Sequence, residues 1–424
     1  MLCLFFQRFP PNFLVSFLPK SCYNFGSSWS ISVHLWIFPS LGLHLGGQTV
    51  TVSVWQEVTE PIQAEHEDVV IGAGIVGAYT ATLLRERGRD VALVDARFPA
   101  AGASGRNAGF VLTGQREPYP VLIEQVGREA AREILTMVRE NVLQMRSLSN
   151  HFDVPLEDGA AHLSETHAEA RELEHWARAL EADGATVDFS YSDPYGSSGY
   201  LATMQVENDF MVQPARLTEA IAATSGATLY DHNEVYAIES VGDNLLVRGR
   251  RAHIRCRKVY VATNGYGCDL HPYLRGIVRP VRGQVTVTTP VAPLINVAGI
   301  TENHYFRQFP DGRLFIGGAR AFFEAQEYTA EDALTPDLHV NLVNYLRLWF
   351  PGVEFEVERQ WAGIHGFTPD RRVAVGNFPN EERIVFAVGF SGYGNSIGLV
   401  AAERMVALAL DGRDPGPLSA DRFG

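Results

Sequence analysis

Residues 68–95, DVVIGAGIVGAYTATLLRERGRDVALVD, constrain the fold of this chain more than any other stretch. The β-branched run DVVI is followed at once by GAGIVG. AYTATLLRERG then places apolar residues at helical spacing and stops on Gly88, a residue suited to the left-handed turn that ends a helix. DVALVD reads as a second buried strand. Strand, glycine turn, helix and strand form the parallel βαβ unit, in which Gly72 permits the tight turn, Gly74 lets the backbone approach a pyrophosphate, and Gly77 lets helix and strand pack closely. Asp95 closes the second strand eighteen residues after Gly77, placed to accept hydrogen bonds from a ribose 2′-hydroxyl, which favours an unphosphorylated ribose. The unit predicts a dinucleotide site. NAD and FAD satisfy it equally.

AAGASGRNAGF, Ala100–Phe110, is a second glycine-rich turn and carries one arginine. FAD is longer than one helix start can hold, and its ribityl and flavin parts need a further run of close backbone contact. Gly102, Gly105 and Gly109 allow that approach, Ser104 offers a hydroxyl, and Arg106 offers charge to a pyrophosphate or to a substrate carboxylate. On this stretch alone an ordinary surface turn with a solvated arginine stays open.

Three later segments carry related signals. KVYVATNG (258–265) is an apolar strand ending in Thr, Asn and Gly, a composition suited to the lip of a nucleotide cleft. RLFIGGAR (313–320) alternates and then gives Gly317 and Gly318, as expected where a strand runs under a flat ring, with Arg320 just beyond. In the terminal segment, IVFAVGF reads as a strand, SGYGN as a turn and SIGLVAAERMVALAL as a helix. A helix start carries roughly +0.5 of an elementary charge. Two-electron-reduced flavin is anionic at N1 and O2, so amides of Gly392, Tyr393 and Gly394 would suit its pyrimidine edge; a turn that only changes direction is the alternative.

Composition narrows the partners. A chain of 424 residues exceeds what one hydrophobic core usually serves, so two domains are expected. A net charge of −14 opposes extended contact with a nucleic acid. Four cysteines without CxxC spacing suit a reducing compartment, and the cytoplasm is the expected location. No spacing of ligands points to a metal, and no serine, histidine and acid cluster points to a hydrolase. The first fifty residues differ from the rest: prolines at 10, 11 and 19 break any signal-peptide core, and Ile31–Leu45 is too short and too interrupted for a membrane span. Residues 1–51 read as a non-native or disordered extension, with the folded chain starting near Val52.

The run DVVIGAGIVGAY…GASGRNAGF resembles the amino-terminal signature of the D-amino acid oxidase-like family of FAD-dependent oxidoreductases, and GASGRNAGF is similar to its gamma-glutamylputrescine oxidase subgroup. YVATNGY (260–266), RPVRGQ (279–284), FRQFPDGRLFIGGAR (306–320), WAGIHGFTPDRRVAVG (361–376) and VGFSGYGNSIGLVAAERMVALALDG (388–412) match in the family's order. The resemblance implies an α/β fold: an FAD-binding Rossmann-like domain of glutathione-reductase type (52–115, 205–275 and 355–424) interleaved with a mixed-sheet α+β substrate domain (116–204 and 276–354). It adds Ala103, Asn107, Val235 (at the adenine), Thr263, Gly265 and Asn395 to the cofactor contacts already named.

It also implies hydride transfer from a carbon bearing an amine to flavin N5, followed by hydrolysis of the imine. The substrate would be a small amine or amino acid, with O2 or another electron acceptor. Arg320, Trp361, His365 and Tyr393 are the expected catalytic set, with Tyr305 and Arg307 as further wall residues; Arg282 and Gln284 line the cleft or brace the sheet. Some relatives attach the flavin to a cysteine between the positions of Trp361 and Thr368; none lies there, so noncovalent FAD is expected. Lys258 precedes a different strand from the one that bears an oxygen-activating lysine in some relatives, which leaves oxidase and dehydrogenase open. A sarcosine- or glycine-type oxidase, a D-amino-acid dehydrogenase and a non-catalytic FAD-binding protein are the alternatives. Flavin monooxygenases generally carry a Gly-Asp element that this chain replaces with VAVGNFPN.

Overall fold

The computed structural model describes residues 42–45, 48–51, 60–114, 117–196 and 199–424. Val52 and most of the segment expected to be an extension lie outside them. Contacts divide the chain into two units, 1–58 and 59–424. In the first, Gly42–Leu45 pairs antiparallel with Gln48–Thr51. All that follows concerns the second.

In chain order, the elements that build the site are β1 (Asp68–Ile71), α1 (Ile75–Glu86), β2 (Val91–Val94), α2 (Arg128–His151), β3 (Lys258–Val261), β4 (Arg279–Pro290), β5 (His304–Gln308), β6 (Arg313–Gly318), α3 (Pro336–Trp349), β7 (Val357–Phe367), β8 (Ala374–Phe378), β9 (Glu381–Val388) and α4 (Gly394–Asp411). A six-stranded sheet has the order Thr228–Tyr230, β2, β1, β3, β9, β8. All pairs are parallel except β8 with β9.

Parallel strands are buried on both faces, and the continuous apolar runs VVI, VALV and VYV provide for that. One face takes α1 and α4, with Val70, Leu93 and Tyr260 against Ala78, Leu84, Ile397 and Val400. The other takes the four-stranded sheet of 235–256 and 62–65, with Val69, Ile71 and Val259 against Leu245, Val247 and Ile254. Full burial of a large apolar side chain contributes about 1.5–3 kcal/mol, so these three layers hold both helix starts against one edge of strand ends.

An eight-stranded mixed sheet has the order β7, β4, β6, β5, Ala298–Ile300, Ala160–Ser164, Ala202–Val206, Val187–Ser190. Thr335 and Pro336 open α3, as fixed φ and a missing N–H suit a first turn. This helix covers one sheet face through Leu338, Leu342 and Leu346 on Phe306, Leu314 and Ile316.

Pro118–His151, whose Glu, Ala and Leu read as one long helix in sequence, is two helices, Tyr119–Val126 and α2, because Gly127 adopts φ +82°. LYDHNEVYAI, which reads as one strand, is split into Thr228–Tyr230 and Val235–Val241, which join different sheets.

Candidate active site

The first glycine turn is packed as its spacing predicts. A Cβ on Gly77 would lie 1.7 Å from the Gly72 carbonyl oxygen, and one on Gly72, at φ +103°, would lie 2.7 Å from that of Ala262. Gly74 faces the second loop instead: a Cβ there would lie 2.7 Å from Ser104 Oγ. Helix α1 starts with no side-chain cap of its own and no acid in its first turn. Ser104 Oγ accepts the Ile75 N–H at 2.9 Å. Asp95 accepts the N–H groups of Ala73 and Arg97, one on each oxygen, both at 2.8 Å. Each oxygen keeps a further lone pair for a ligand.

The second glycine stretch joins this helix start to that of α4. Ala103–Arg106 forms one helical turn, and Asn107 Nδ2 closes it by donating to the carbonyls of Ala103 and Ser104, both at 3.0 Å. Asn107 Oδ1 accepts the Gly109 N–H at 2.8 Å and Asn395 Nδ2 at 2.9 Å. Asn395 Nδ2 also reaches Phe110 O at 3.3 Å, and Leu112 N donates to Ser396 Oγ at 3.0 Å. Like α1, α4 begins without a side-chain cap or a first-turn acid. Just before it, Gly392 is exposed at φ +94°, with nothing within 4 Å of where a Cβ would stand.

Thr263, Asn264 and Gly265 close the gap to the sheet. Asn264 Oδ1 accepts the N–H groups of Gly389 at 3.0 Å and Phe390 at 3.4 Å. A Cβ on Gly265 would lie 2.4 Å from His365 O, which explains the glycine. The buried Thr263 hydroxyl has no protein partner. Val235 sits beside a bulge at the start of its strand, half-buried in the outer apolar layer.

Register places one set of side chains on the face of the eight-stranded sheet opposite α3, because antiparallel partners share a face. Trp361, Gly363, His365 and Phe367 stand beside Val285, Gly283, Val281 and Arg279, and Gly317 and Phe315 stand beside Tyr305 and Arg307. Gly283, Gly317 and Gly363 form a low floor. His365 Nε2 would be 2.5 Å from a Cβ on Gly283, the Tyr305 hydroxyl 2.4 Å from one on Gly317, and Arg106 Cβ 3.4 Å from one on Gly363. Trp361 Nε1 donates to Arg106 O at 2.9 Å, which ties this face to the second glycine loop. Its ring meets Phe315 edge-on at 5.6 Å, and Tyr305 meets Phe110 likewise at 6.1 Å.

The charges here have identifiable surroundings. Burial, and then the Arg320 charge, push His365 down to about 4, so its imidazole is neutral near pH 7. Arg320 lies 4.8 Å over the Phe367 ring at the border of the face. Arg307 is buried and donates to Ala108 O at 3.0 Å and to Glu157 at 2.6 Å. Arg106 donates to Asp332 at 2.6 Å and Ala362 O at 2.9 Å, so its guanidinium spans the sheet edge and the connection before α3. Tyr393 stands half-buried at the start of α4.

Arg282 and Gln284 point to the opposite face and brace the sheet. Both donate to the buried Glu327 carboxylate, which Thr335 Oγ1 also reaches at 2.6 Å. Gln284 Oε1 accepts from Thr335 N and pairs with His339 Nε2.

The structure therefore gathers Ser104, Asn107, Gly109 and Asn395 into one network and Arg106, Trp361 and His365 along one sheet face, while Val235 and Arg320 stand further out. It adds residues that had no assigned site role in the sequence. Phe110 and Phe315 complete the aromatic wall, and Asn264 ties two loops together. Asn141, buried in α2, donates to Asn395 O at 2.8 Å and accepts from Leu399 N at 2.9 Å. A polar residue within the apolar stripe of α2 was the only sequence signal for it.

The family model for FAD-dependent oxidoreductases matches residues 69–408. A probable oxidoreductase OrdL of Rhizobium meliloti is 27% identical over 72% of this chain and 74% of that protein. Gamma-glutamylputrescine oxidoreductase of Escherichia coli is 24% identical over 84% of each chain. Glycine oxidase from Geobacillus kaustophilus has the same fold, with TM-score 0.72 and 20% identity over 84% of this chain and 98% of that one. The residues present fit an anionic dinucleotide: two helix starts without a neutralising acid, a carboxylate with open lone pairs, and open space at Gly392.

Proposed function

From the premise that the chain belongs to the family of FAD-dependent oxidoreductases and uses FAD, we propose that it oxidises the C–N bond of an amine or amino acid, nearest in kind to the gamma-glutamylputrescine oxidoreductase type. The bound flavin supplies the two-electron acceptor at N5 for a hydride from the carbon bearing the amine; water then hydrolyses the imine, and O2 or another acceptor takes the electrons.

In this reading, residues 52–115, 205–275 and 355–424 bind the cofactor and 116–204 and 276–354 shape the substrate side. The start of α1, with Gly72, Gly74 and Gly77 behind it, faces the pyrophosphate. Asp95 holds the ribose and Val235 the adenine. Ala103, Ser104, Asn107 and Gly109 support the middle of the cofactor, with Arg106 behind them, and Thr263, Gly265 and Gly392–Asn395 meet the flavin. No cysteine lies in 361–368, which favours noncovalent attachment. The cysteine pattern favours a reducing compartment such as the cytoplasm, and no helix among the described residues is long and apolar enough to cross a membrane.

The observation that carries the reading is the glycine-floored face beside the second glycine loop. Trp361, held by Arg106 O, gives a fixed apolar wall for an alkyl amine. Register puts no carboxylate among the side chains of β4–β7 on this face. An ammonium group desolvated there loses its proton more readily than in water, and the neutral amine is the form that can donate hydride. His365, itself neutral, is suited to hold that amine by one hydrogen bond. Tyr393 closes the wall from the α4 side.

Anaerobic mixing of the purified yellow protein with a panel of amines and amino acids tests the assignment. Loss of flavin absorbance near about 450 nm with at least one of them is expected. Reduction by none, with dithionite still bleaching the flavin, would rule it out. Admitting air afterwards separates oxidase from dehydrogenase by the rate at which colour returns.

A further inference from the structure

We infer that Asn141 is a positioning residue: from α2 it sets the first turn of α4, and through Asn395, Asn107 and Ser104 it fixes that helix start relative to the start of α1. The inference rests on the assignment of FAD to the cradle between these two helix starts.

Asn141 is fully buried on a stripe otherwise made of Ile134, Leu135, Val138, Val142 and Met145. An amide at such a place is tolerated only when its polar atoms are paired. Here they are: Nδ2 donates to Asn395 O at 2.8 Å, while Oδ1 accepts Leu399 N at 2.9 Å and Val400 N at 3.4 Å. A carbonyl on one side and N–H groups on the other allow only one orientation of the amide. Asn395 O and Leu399 N are the i and i+4 members of one rung of the helical ladder, and Asn141 bonds to both ends of that rung. The direction of the first turn of α4 is thus set by a residue of α2 as well as by its own backbone.

That turn is where the consequence lies. It carries Asn395, whose side chain bonds to Asn107 Oδ1; Asn107 closes the turn containing Ser104; and Ser104 Oγ accepts the first-turn N–H of Ile75 in α1. The result is an unbroken polar path from Asn141 to both positive helix ends. Without Asn141, α4 keeps its own backbone ladder while its first turn loses the tie to α2 and swings. The amides at 392–395 then no longer face the flavin squarely, and the anionic reduced form loses stabilisation.

The test uses holoenzyme carrying Asn141→Ser or Asn141→Leu, with Gln144→Ala as the control. Gln144 lies one turn along α2 and bonds to Glu403, one turn beyond Leu399 and outside the first turn of α4. Three quantities are read: the midpoint potential of the bound flavin, the FAD dissociation constant and the melting temperature. In the Asn141 variants the reduction equilibrium should fall about tenfold, a shift of roughly −30 mV for a two-electron couple, with FAD binding weakened by a similar factor. Gln144→Ala should lower the melting temperature and leave potential and affinity at wild-type values. If the leucine variant does not fold, the serine variant decides, because its hydroxyl keeps a polar partner at the site. Wild-type potential and affinity in the Asn141 variants overturn the inference, as does an equal shift in Gln144→Ala. A wild-type protein that takes up no FAD overturns the cradle assignment, and the inference falls with it.

Discussion

Asp209 is buried with Oδ1 accepting the Thr113 N–H at 2.7 Å and Oδ2 without a partner. Burial pushes its carboxyl up to about 7, against the opposing Thr113 hydrogen bonds and the Arg146 charge. In the unfolded chain it ionises near its ordinary value of 3.8. Its contribution to stability is therefore complete below that value and is lost as pH rises toward about 7, by about 1.4 kcal/mol per pH unit at most. Asp209→Asn keeps an oxygen for Thr113 and cannot ionise. Its melting temperature should fall less than that of the wild type between about pH 5 and 8; parallel curves would exclude Asp209 as the cause. His365 has the opposite sign, because its folded value lies near 4 against an ordinary 6.5. Its contribution is present above 6.5 and lost as pH falls toward 4. His365→Gln should lower the rate of flavin reduction without altering the shape of its pH profile between about pH 6 and 8. An acid limb that disappears in the variant would show that the imidazole titrates in that range.

Among the elements, two glycines should behave differently. Gly77→Ala drives a Cβ to 1.7 Å from the Gly72 carbonyl, so α1 must leave its strand. Loss of soluble yellow protein is expected, or destabilisation of at least about 3 kcal/mol by denaturant melting. Gly363→Ala meets only the flexible Arg106 side chain at 3.4 Å, and a cost below about 1 kcal/mol is expected. The reverse order would mean that the packing of α1 on the turn is described wrongly. The same contrast explains what was legible in the sequence. Gly72, Gly77 and Asp95 act within one βαβ unit, where spacing alone dictates geometry. The glycine-floored face arises when Val285 pairs with Trp361 and with Gly317, and no local pattern encodes that register. Arg106 reads as a partner for an anion, but the acid it meets in the structure, Asp332, lies far along the chain and no local pattern points to it. Asn141 and Asn395 are equally remote in sequence, so only the polar break in an apolar stripe was visible. The stop at Gly127 depends on a positive φ that a run of helix formers conceals.

At the scale of the whole molecule, residues 103–110 carry polar ties to both the parallel sheet with its helices and the eight-stranded sheet: Ser104 to α1, Asn107 to α4, Arg106 and Ala108 to strands and connections of the second sheet. The second glycine stretch is thus a joint between the parallel-sheet layers and the glycine-floored face. Occupancy of the joint should stabilise the whole chain: free FAD at about 100 times its dissociation constant adds about 2.7 kcal/mol to a two-state unfolding free energy, seen as a melting temperature that rises with FAD. A melting temperature indifferent to FAD would mean that the cofactor does not bind the folded form preferentially. The electron density of FAD in crystals of the yellow protein decides where the cofactor sits. Pyrophosphate is expected at the start of α1, the isoalloxazine ring between Gly392–Gly394 and the floor of Gly283, Gly317 and Gly363, and the Asn107–Asn395 pair alongside. Flavin density away from that floor, or from either helix start, would contradict that placement.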